Sequence, residues 1–124
     1  MKFNIIYIFA LVLSSCAFAN TENQLPKCPG ADVIKAAKLN NAKVFSQNGG
    51  WLVTNISRYN TAEEWTFNLF VRAKDKNEAI EKGNKLLEFI SLTDGPVLVD
   101  THVHCGYQGE KDGQPIIAFA NTSL

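Results

Sequence analysis

The segment from Glu64 to Ala73, EWTFNLFVRA, constrains the fold of this chain more than any other. Its large apolar residues occupy alternate positions: Trp65, Phe67, Leu69 and Val71. Since successive side chains of a strand point to opposite faces of a sheet, this spacing predicts a β-strand with one buried face. Phe70 is the exception, because the alternation places it among the polar residues of the outer face.

The segment from Asp75 to Ser91 predicts the longest helix of the chain. Asp75 followed by Glu78 resembles a capping box, a typical helix start. Apolar residues then recur at spacings of three and four, which defines one helical stripe: Ala79, Ile80, Gly83, Leu86, Leu87 and Ile90. We expect this stripe to cover the buried face of the sheet.

The remaining periodic segments are short and are separated by turn signals such as Asn48-Gly49-Gly50. They predict one helix, two strands before the main strand, and the two arms of a closing hairpin: 31–39, 42–46, 51–57, 97–107 and 115–120. We therefore expect an α+β fold with an antiparallel sheet of about five strands in the order α-β-β-β-α-β-β. The long helix should pack on one face, and the short N-terminal helix should precede the sheet.

The first 19 residues have the features of a secretory signal peptide. Lys2 is followed by an apolar run from Phe3 to Leu13 that is shorter than the roughly 20 residues of a membrane-spanning helix. The sequence Ala17-Phe18-Ala19 then supplies an A-x-A cleavage site. We expect export to the periplasm or the extracellular space, with residues 20–124 forming one domain that has no transmembrane helix.

Cys16 gives this signal a second interpretation. Leu13-Ser14-Ser15-Cys16 resembles a lipobox, in which the cysteine is lipidated and becomes the new N-terminus. A lipidated Cys16 would anchor the domain to the envelope without a spanning helix. Cleavage after Ala19 would instead remove Cys16.

Cys28 and Cys105 are the cysteines that remain after cleavage at Ala19. Two cysteines in an exported chain are most simply paired, because the compartment is oxidising. We therefore predict a Cys28–Cys105 disulfide that closes a loop of almost the whole domain.

The charge of the chain argues against nucleic-acid binding. The full sequence has 12 basic and 12 acidic residues, and Lys2 would leave with the signal peptide. The mature domain is thus slightly acidic, whereas a dedicated nucleic-acid binder presents a clustered basic surface.

The stretch VLVDTHVHCGYQ, from Val97 to Gln108, holds both histidines of the chain. If it forms one strand, Cys105 and Tyr107 face the core with Val97, Val99 and Val103. The other face then carries the remaining residues: Leu98, Asp100, His102 and His104.

Asp100, His102 and His104 are candidate ligands for a metal ion or a haem. Alternate residues of a strand lie about 7 Å apart, so two imidazoles could approach one ion. A zinc site usually has three or four protein ligands, and an ordinary solvated sheet face is the alternative. A haem would need an axial histidine or tyrosine beside an apolar platform. Tyr107 could join the histidines only if Gly106 forms a bulge.

The sequence shows no recognisable catalytic motif. Nucleophile elbows, phosphate-binding glycine loops and the H-E-x-x-H zinc signature do not occur. His104 and Cys105 are neighbours in sequence, but adjacent strand residues point to opposite faces. We expect a protein that is not an enzyme.

Several short motifs together resemble a known family. They are SSCAFA at the end of the signal, CPG before the first helix, GGWLV, A-x-D-x-x-E-A beginning at Ala73, and the closing C-x-Y. This combination resembles a family of small exported gammaproteobacterial proteins of unknown function, some of which are labelled hemin-binding protein. The resemblance implies hemin as a ligand.

These observations favour an exported binding protein whose ligand is hemin, a metal ion or a protein. One alternative is an envelope-associated structural protein without a small ligand, anchored through Cys16. Another is an inhibitor or effector that acts on a second protein.

Overall fold

A computed structural model describes residues 25–124 of the chain. It has two helices and six strands: α1 (Ala31–Ala37), β1 (Asn41–Ser46), β2 (Gly50–Ser57), β3 (Trp65–Arg72), α2 (Lys76–Leu87), β4 (Ile90–Val99), β5 (His102–Lys111) and β6 (Gln114–Ser123). The predicted signal peptide, with Cys16, lies outside the described residues.

All six strands form one antiparallel sheet in the order β1-β2-β3-β6-β5-β4. Two three-stranded meanders, β1-β2-β3 and β4-β5-β6, are joined where β3 pairs with β6. The α+β class and the antiparallel sheet are therefore as expected. Within residues 25–124, neither helix is long and apolar enough to cross a membrane.

The helix α2 is shorter than predicted, and the sheet has one strand more. The helix ends at Leu87, and the chain re-enters the sheet at Ile90 rather than continuing to Ser91. Ile90 is buried as the first residue of β4, where it pairs with Gly109. Ile90 continues the apolar spacing of the helix but is buried as a strand residue. The apolar pattern alone therefore could not locate the end of the helix.

The segment from Val97 to Tyr107 is two strands and not one. The chain reverses at Asp100 and Thr101, where Asp100 adopts a positive φ of 56°. Asp tolerates this left-handed conformation better than most residues do. The prediction of a single strand was wrong. A two-residue turn ends the strand alternation at this point, although strand-forming residues continue on both sides of the turn.

Because the chain reverses here, residues 97–99 lie on the opposite faces from those predicted. Residues directly opposite in an antiparallel pair share a face. Val97 pairs with His104, and Val99 pairs with His102, so both valines lie with the histidines. Leu98 pairs with Val103 on the helix side, contrary to the prediction. The assignment of Val103, Cys105 and Tyr107 to the core is confirmed.

The core lies between the helices and one face of the sheet. The alternation of β3 is confirmed, since Trp65, Phe67 and Leu69 are fully buried. Gly83 of α2 lies so close to Val53 that an added Cβ would be 2.9 Å from the valine Cγ1. This close approach lets the helix pack directly on β2. Asp75 caps the helix, as expected, by accepting a hydrogen bond of 2.8 Å from Glu78 N.

The N-terminal segment is held to β5 at two neighbouring points. Cys28 and Cys105 form a disulfide across a sequence separation of 77 residues. The Tyr107 hydroxyl donates a hydrogen bond of 2.6 Å to the Pro29 carbonyl. These contacts confirm the predicted cysteine pairing and hold the start of the domain against β5, the strand next to the edge of the sheet.

Two buried tyrosines should make the protein sensitive to alkali. Burial raises the pKa of Tyr59 to about 12 and, with electrostatic repulsion from Tyr59, raises the pKa of Tyr107 well above its usual range. The unfolded chain loses these protons near pH 10, about two units earlier than folded Tyr59. The contribution of the two protonated tyrosines to the free energy of unfolding is therefore complete below pH 10 and is lost as the pH rises towards 12.

We expect the free energy of unfolding, measured by urea titration, to fall as the pH is raised from 10 to 12. Tyr59→Phe removes one of the two groups and should make this decline shallower. Equal slopes for the variant and the unmodified protein would contradict the assignment.

Candidate functional site

The sheet face opposite the helices, here called the bare face, is unusually apolar. Its exposed apolar residues include Phe45 and Ile56, each 60 % exposed. Three more come from the strands of the second meander: Val97, Val99 and Ile117. Outer faces of antiparallel sheets are normally polar, so these exposed apolar side chains make the bare face a candidate binding surface.

Three phenylalanines form an aromatic row across the bare face. The ring centroids of Phe45 and Phe70 are 5.0 Å apart in an edge-to-face arrangement. Those of Phe70 and Phe119 are 6.0 Å apart. Both spacings lie in the range of favourable aromatic pairs. The row runs from β1 through β3 to β6 and ends beside β5. The expectation that Phe70 lies on the outer face is confirmed.

The two histidines of β5 form a second feature of the bare face, here called the histidine pair. The ring centroids of His102 and His104 are 6.4 Å apart. His102 is exposed, and His104 is half-buried. The Thr101 hydroxyl lies 3.3 Å from His102 Nδ1. Since alternate strand residues share a face, both imidazoles project from the same side of the sheet.

The aromatic row and the histidine pair are neighbours. His104 lies opposite Asn121, and Gly106 lies opposite Phe119, so His104 and Phe119 are diagonal neighbours. Such pairs lie about 7–8 Å apart, within reach of aromatic side chains. Gly106 has no side chain, and the Asp94 side chain lies beside it, since an added Cβ at Gly106 would be 3.3 Å from the Asp94 Cβ.

The structure does not bring the other candidate ligands to the histidine pair. Tyr107 is fully buried on the helix side, where its hydroxyl donates a hydrogen bond to the Pro29 carbonyl. Asp100 lies in the turn that precedes β5 and not in the strand. Among residues 25–124, no group of three histidine, cysteine or acidic side chains is placed to hold a metal ion.

Sequence reasoning missed six members of the bare face. Val97 and Val99 were assigned to the core, and four residues were placed in strands without an assigned face: Phe45, Ile56, Ile117 and Phe119. The signal for the valines was Asp100-Thr101, a polar pair between two runs of strand-forming residues, which is a turn signal. Across that turn, the valines become cross-strand neighbours of the histidines.

The comparison with known proteins identifies a family without an assigned activity. The model of a domain of unknown function, DUF4949, matches residues 27–123. No curated protein and no solved structure matches the chain significantly. The matched range includes Cys28, Cys105 and all eight elements of the fold. The chain therefore belongs to the DUF4949 family of domains of unknown function.

Proposed function

We propose that this protein is an exported, non-enzymatic binding protein and that its ligand, hemin, lies on the bare face of the sheet. One observation carries the proposal: the aromatic row ends beside the histidine pair. An apolar surface next to an imidazole is the combination that a haem requires.

The residues around the histidine pair suit a large planar ligand. Val97 and Val99 lie opposite the two histidines and are about half exposed. Together with Phe119 they surround the imidazoles with apolar surface that a porphyrin ring would remove from water. Burial of such surface contributes roughly 25 cal/mol per Å². The protein would thus bind the ring by its apolar face and the iron by a histidine.

His104 is the better placed of the two histidines to supply the axial ligand. It is half-buried and adjacent to Phe119, whereas His102 is exposed beside the turn. Both rings project from the same side of the strand, so they do not face each other across a plane that could hold one iron between them. We therefore assign the iron to His104 and a supporting position to His102.

A Soret-band titration with hemin tests the proposal. The unmodified protein should give a saturable shift at one equivalent of hemin. His104→Ala should weaken binding by roughly tenfold or more, because the iron loses its imidazole ligand. His102→Ala should have a smaller effect.

Gln108→Ala is the matched control, since Gln108 is an exposed residue of the same strand and face beyond Gly106. It should bind hemin like the unmodified protein. Absence of a saturable shift, or equal shifts in the control and both histidine variants, would contradict the proposal.

A further inference from the structure

The sheet splits at one end between β3 and β6. These strands pair only from Thr66 opposite Asn121 to Leu69 opposite Ala118. However, β3 continues to Arg72 and β6 begins as early as Gln114. Their other neighbours stay paired throughout, since β2 follows β3 to Arg72 and β5 follows β6 to Gln114. The two middle strands therefore diverge while the rest of the sheet stays closed.

The divergence opens a cleft with mainly apolar walls. Its volume is about 540 Å³, within the range of roughly 300–1,000 Å³ that is typical of small-molecule sites. Phe70 and Val71 line it from β3, and Pro115 lines it from β6. Phe45 of β1, Trp51 of β2 and Leu86 of α2 complete the apolar lining. A volume of this size suits one slender apolar chain.

The rim of the cleft is basic. A neighbouring cavity of about 470 Å³ shares Leu86 and Gln114 with the cleft. Three lysines line this second cavity, Lys82, Lys85 and Lys111, together with one acid, Asp112. Arg72 lines the cleft itself. The two cavities together are thus lined by four cationic side chains and one carboxylate, and two of the lysines also pair with glutamates of α2 that do not line them.

The partners of these cations leave them able to bind an anion. Lys82 Nζ lies 3.6 Å from the half-buried Glu78 and donates a hydrogen bond of 3.1 Å to the Arg72 carbonyl. Lys85 Nζ lies 3.4 Å from Glu81 in an exposed pair within α2. Exposed pairs of this kind contribute little free energy, so a bound anion can compete for Lys85. Arg72 Nη1 donates a hydrogen bond of 2.8 Å to the Asn48 carbonyl, which positions the guanidinium.

From this combination we infer that the cleft between β3 and β6 binds one fatty carboxylate, with its alkyl chain along Phe70 and Leu86 and its carboxylate at Arg72. The planar guanidinium matches a carboxylate geometrically, and the lysines add a positive field at the rim. This site goes beyond the proposed hemin surface: it shares Phe45 and Phe70 with the aromatic row but does not use the histidine pair.

Calorimetric titration with dodecanoate tests the inference, and dodecanol and dodecyl phosphate provide the comparison ligands. Dodecanoate should bind with one-to-one stoichiometry and more tightly than either of the others. Arg72→Gln should weaken dodecanoate binding about tenfold, the loss expected for one charge-assisted contact. Adding both Lys85→Gln and Lys111→Gln to the Arg72→Gln variant should weaken dodecanoate binding further.

Lys27→Gln is the matched control, because Lys27 is exposed and lies outside both cavities. It should bind dodecanoate like the unmodified protein, and His104→Ala should as well, which separates this site from the hemin proposal. Three results would overturn the inference: no dodecanoate binding, equal binding of dodecanol, or tighter binding of dodecyl phosphate. Equal weakening by Lys27→Gln would also overturn it, since it would show attraction to net charge alone.

Discussion

Replacing Cys28 and Cys105 together by alanine should lower the free energy of unfolding by roughly 4 kcal/mol. The disulfide closes a loop across a separation of 77 residues, so its removal restores a large conformational entropy to the unfolded chain. For a domain of this size, such a loss corresponds to a fall in Tm on the order of 20 °C. Thermal unfolding followed by circular dichroism measures it.

Reduction provides the control for the cysteine variant. A reductant should destabilise the unmodified protein to the level of the double variant and should leave the double variant unchanged. Cys105 is buried, so alanine also removes a few core contacts, but those losses are present with and without reductant. An unchanged Tm in both comparisons would show that the pairing does not hold the fold together.

Trp65→Ala should lower the free energy of unfolding by about 3–5 kcal/mol. Trp65 is the largest of the fully buried side chains, and its indole N–H donates a hydrogen bond of 3.0 Å to the Thr61 hydroxyl. The substitution therefore creates a cavity in the core and removes the N–H group that donates to the Thr61 hydroxyl. Urea unfolding at neutral pH measures the change.

Ile56→Ala is the matched control for Trp65→Ala. Ile56 lies on the neighbouring strand but on the bare face, where it is 60 % exposed. Its replacement should change stability by no more than about 0.5 kcal/mol. Similar losses in the two variants would contradict the division of the sheet into a core face and a bare face.

The parts of the fold that depend on local periodicity could be predicted from the sequence. The alternation around Phe67 indicated which face of β3 is buried, and Asp75 indicated where α2 begins. The end of α2 and the start of β4 could not be predicted in this way. Ile90 fits both periods, and the strand depends on a distant contact: Gly109 has no side chain, so the backbone at Phe89 can pass close beside it.

The candidate site was only partly predictable for a related reason. Placing His102 and His104 on one outer face required only strand alternation and is confirmed by their alternate positions in β5, with ring centroids 6.4 Å apart. The aromatic row depends on the pairing of β3 with β6, which brings Phe119 beside Phe70 across about 50 residues of sequence. Strand alternation contains no information about which strands become neighbours.

The cleft between β3 and β6 likewise could not be predicted from strand alternation. Both strands have strand-forming residues throughout, and only their register shows that the pairing stops at Leu69 opposite Ala118. Pro115 is a local sign of this opening, since proline has no N–H group to donate to a neighbouring strand.

Mapping hemin on the protein by nuclear magnetic resonance tests the central claim most directly. Ferric hemin is paramagnetic, so it broadens the amide signals of the residues nearest to it. Binding at the proposed surface should broaden signals of β5 and β6 around His104 and Phe119, and those of the first turns of α2 should remain sharp. Broadening centred on α2 or on the cleft beside Leu86, with β5 unaffected, would contradict hemin binding on the bare face.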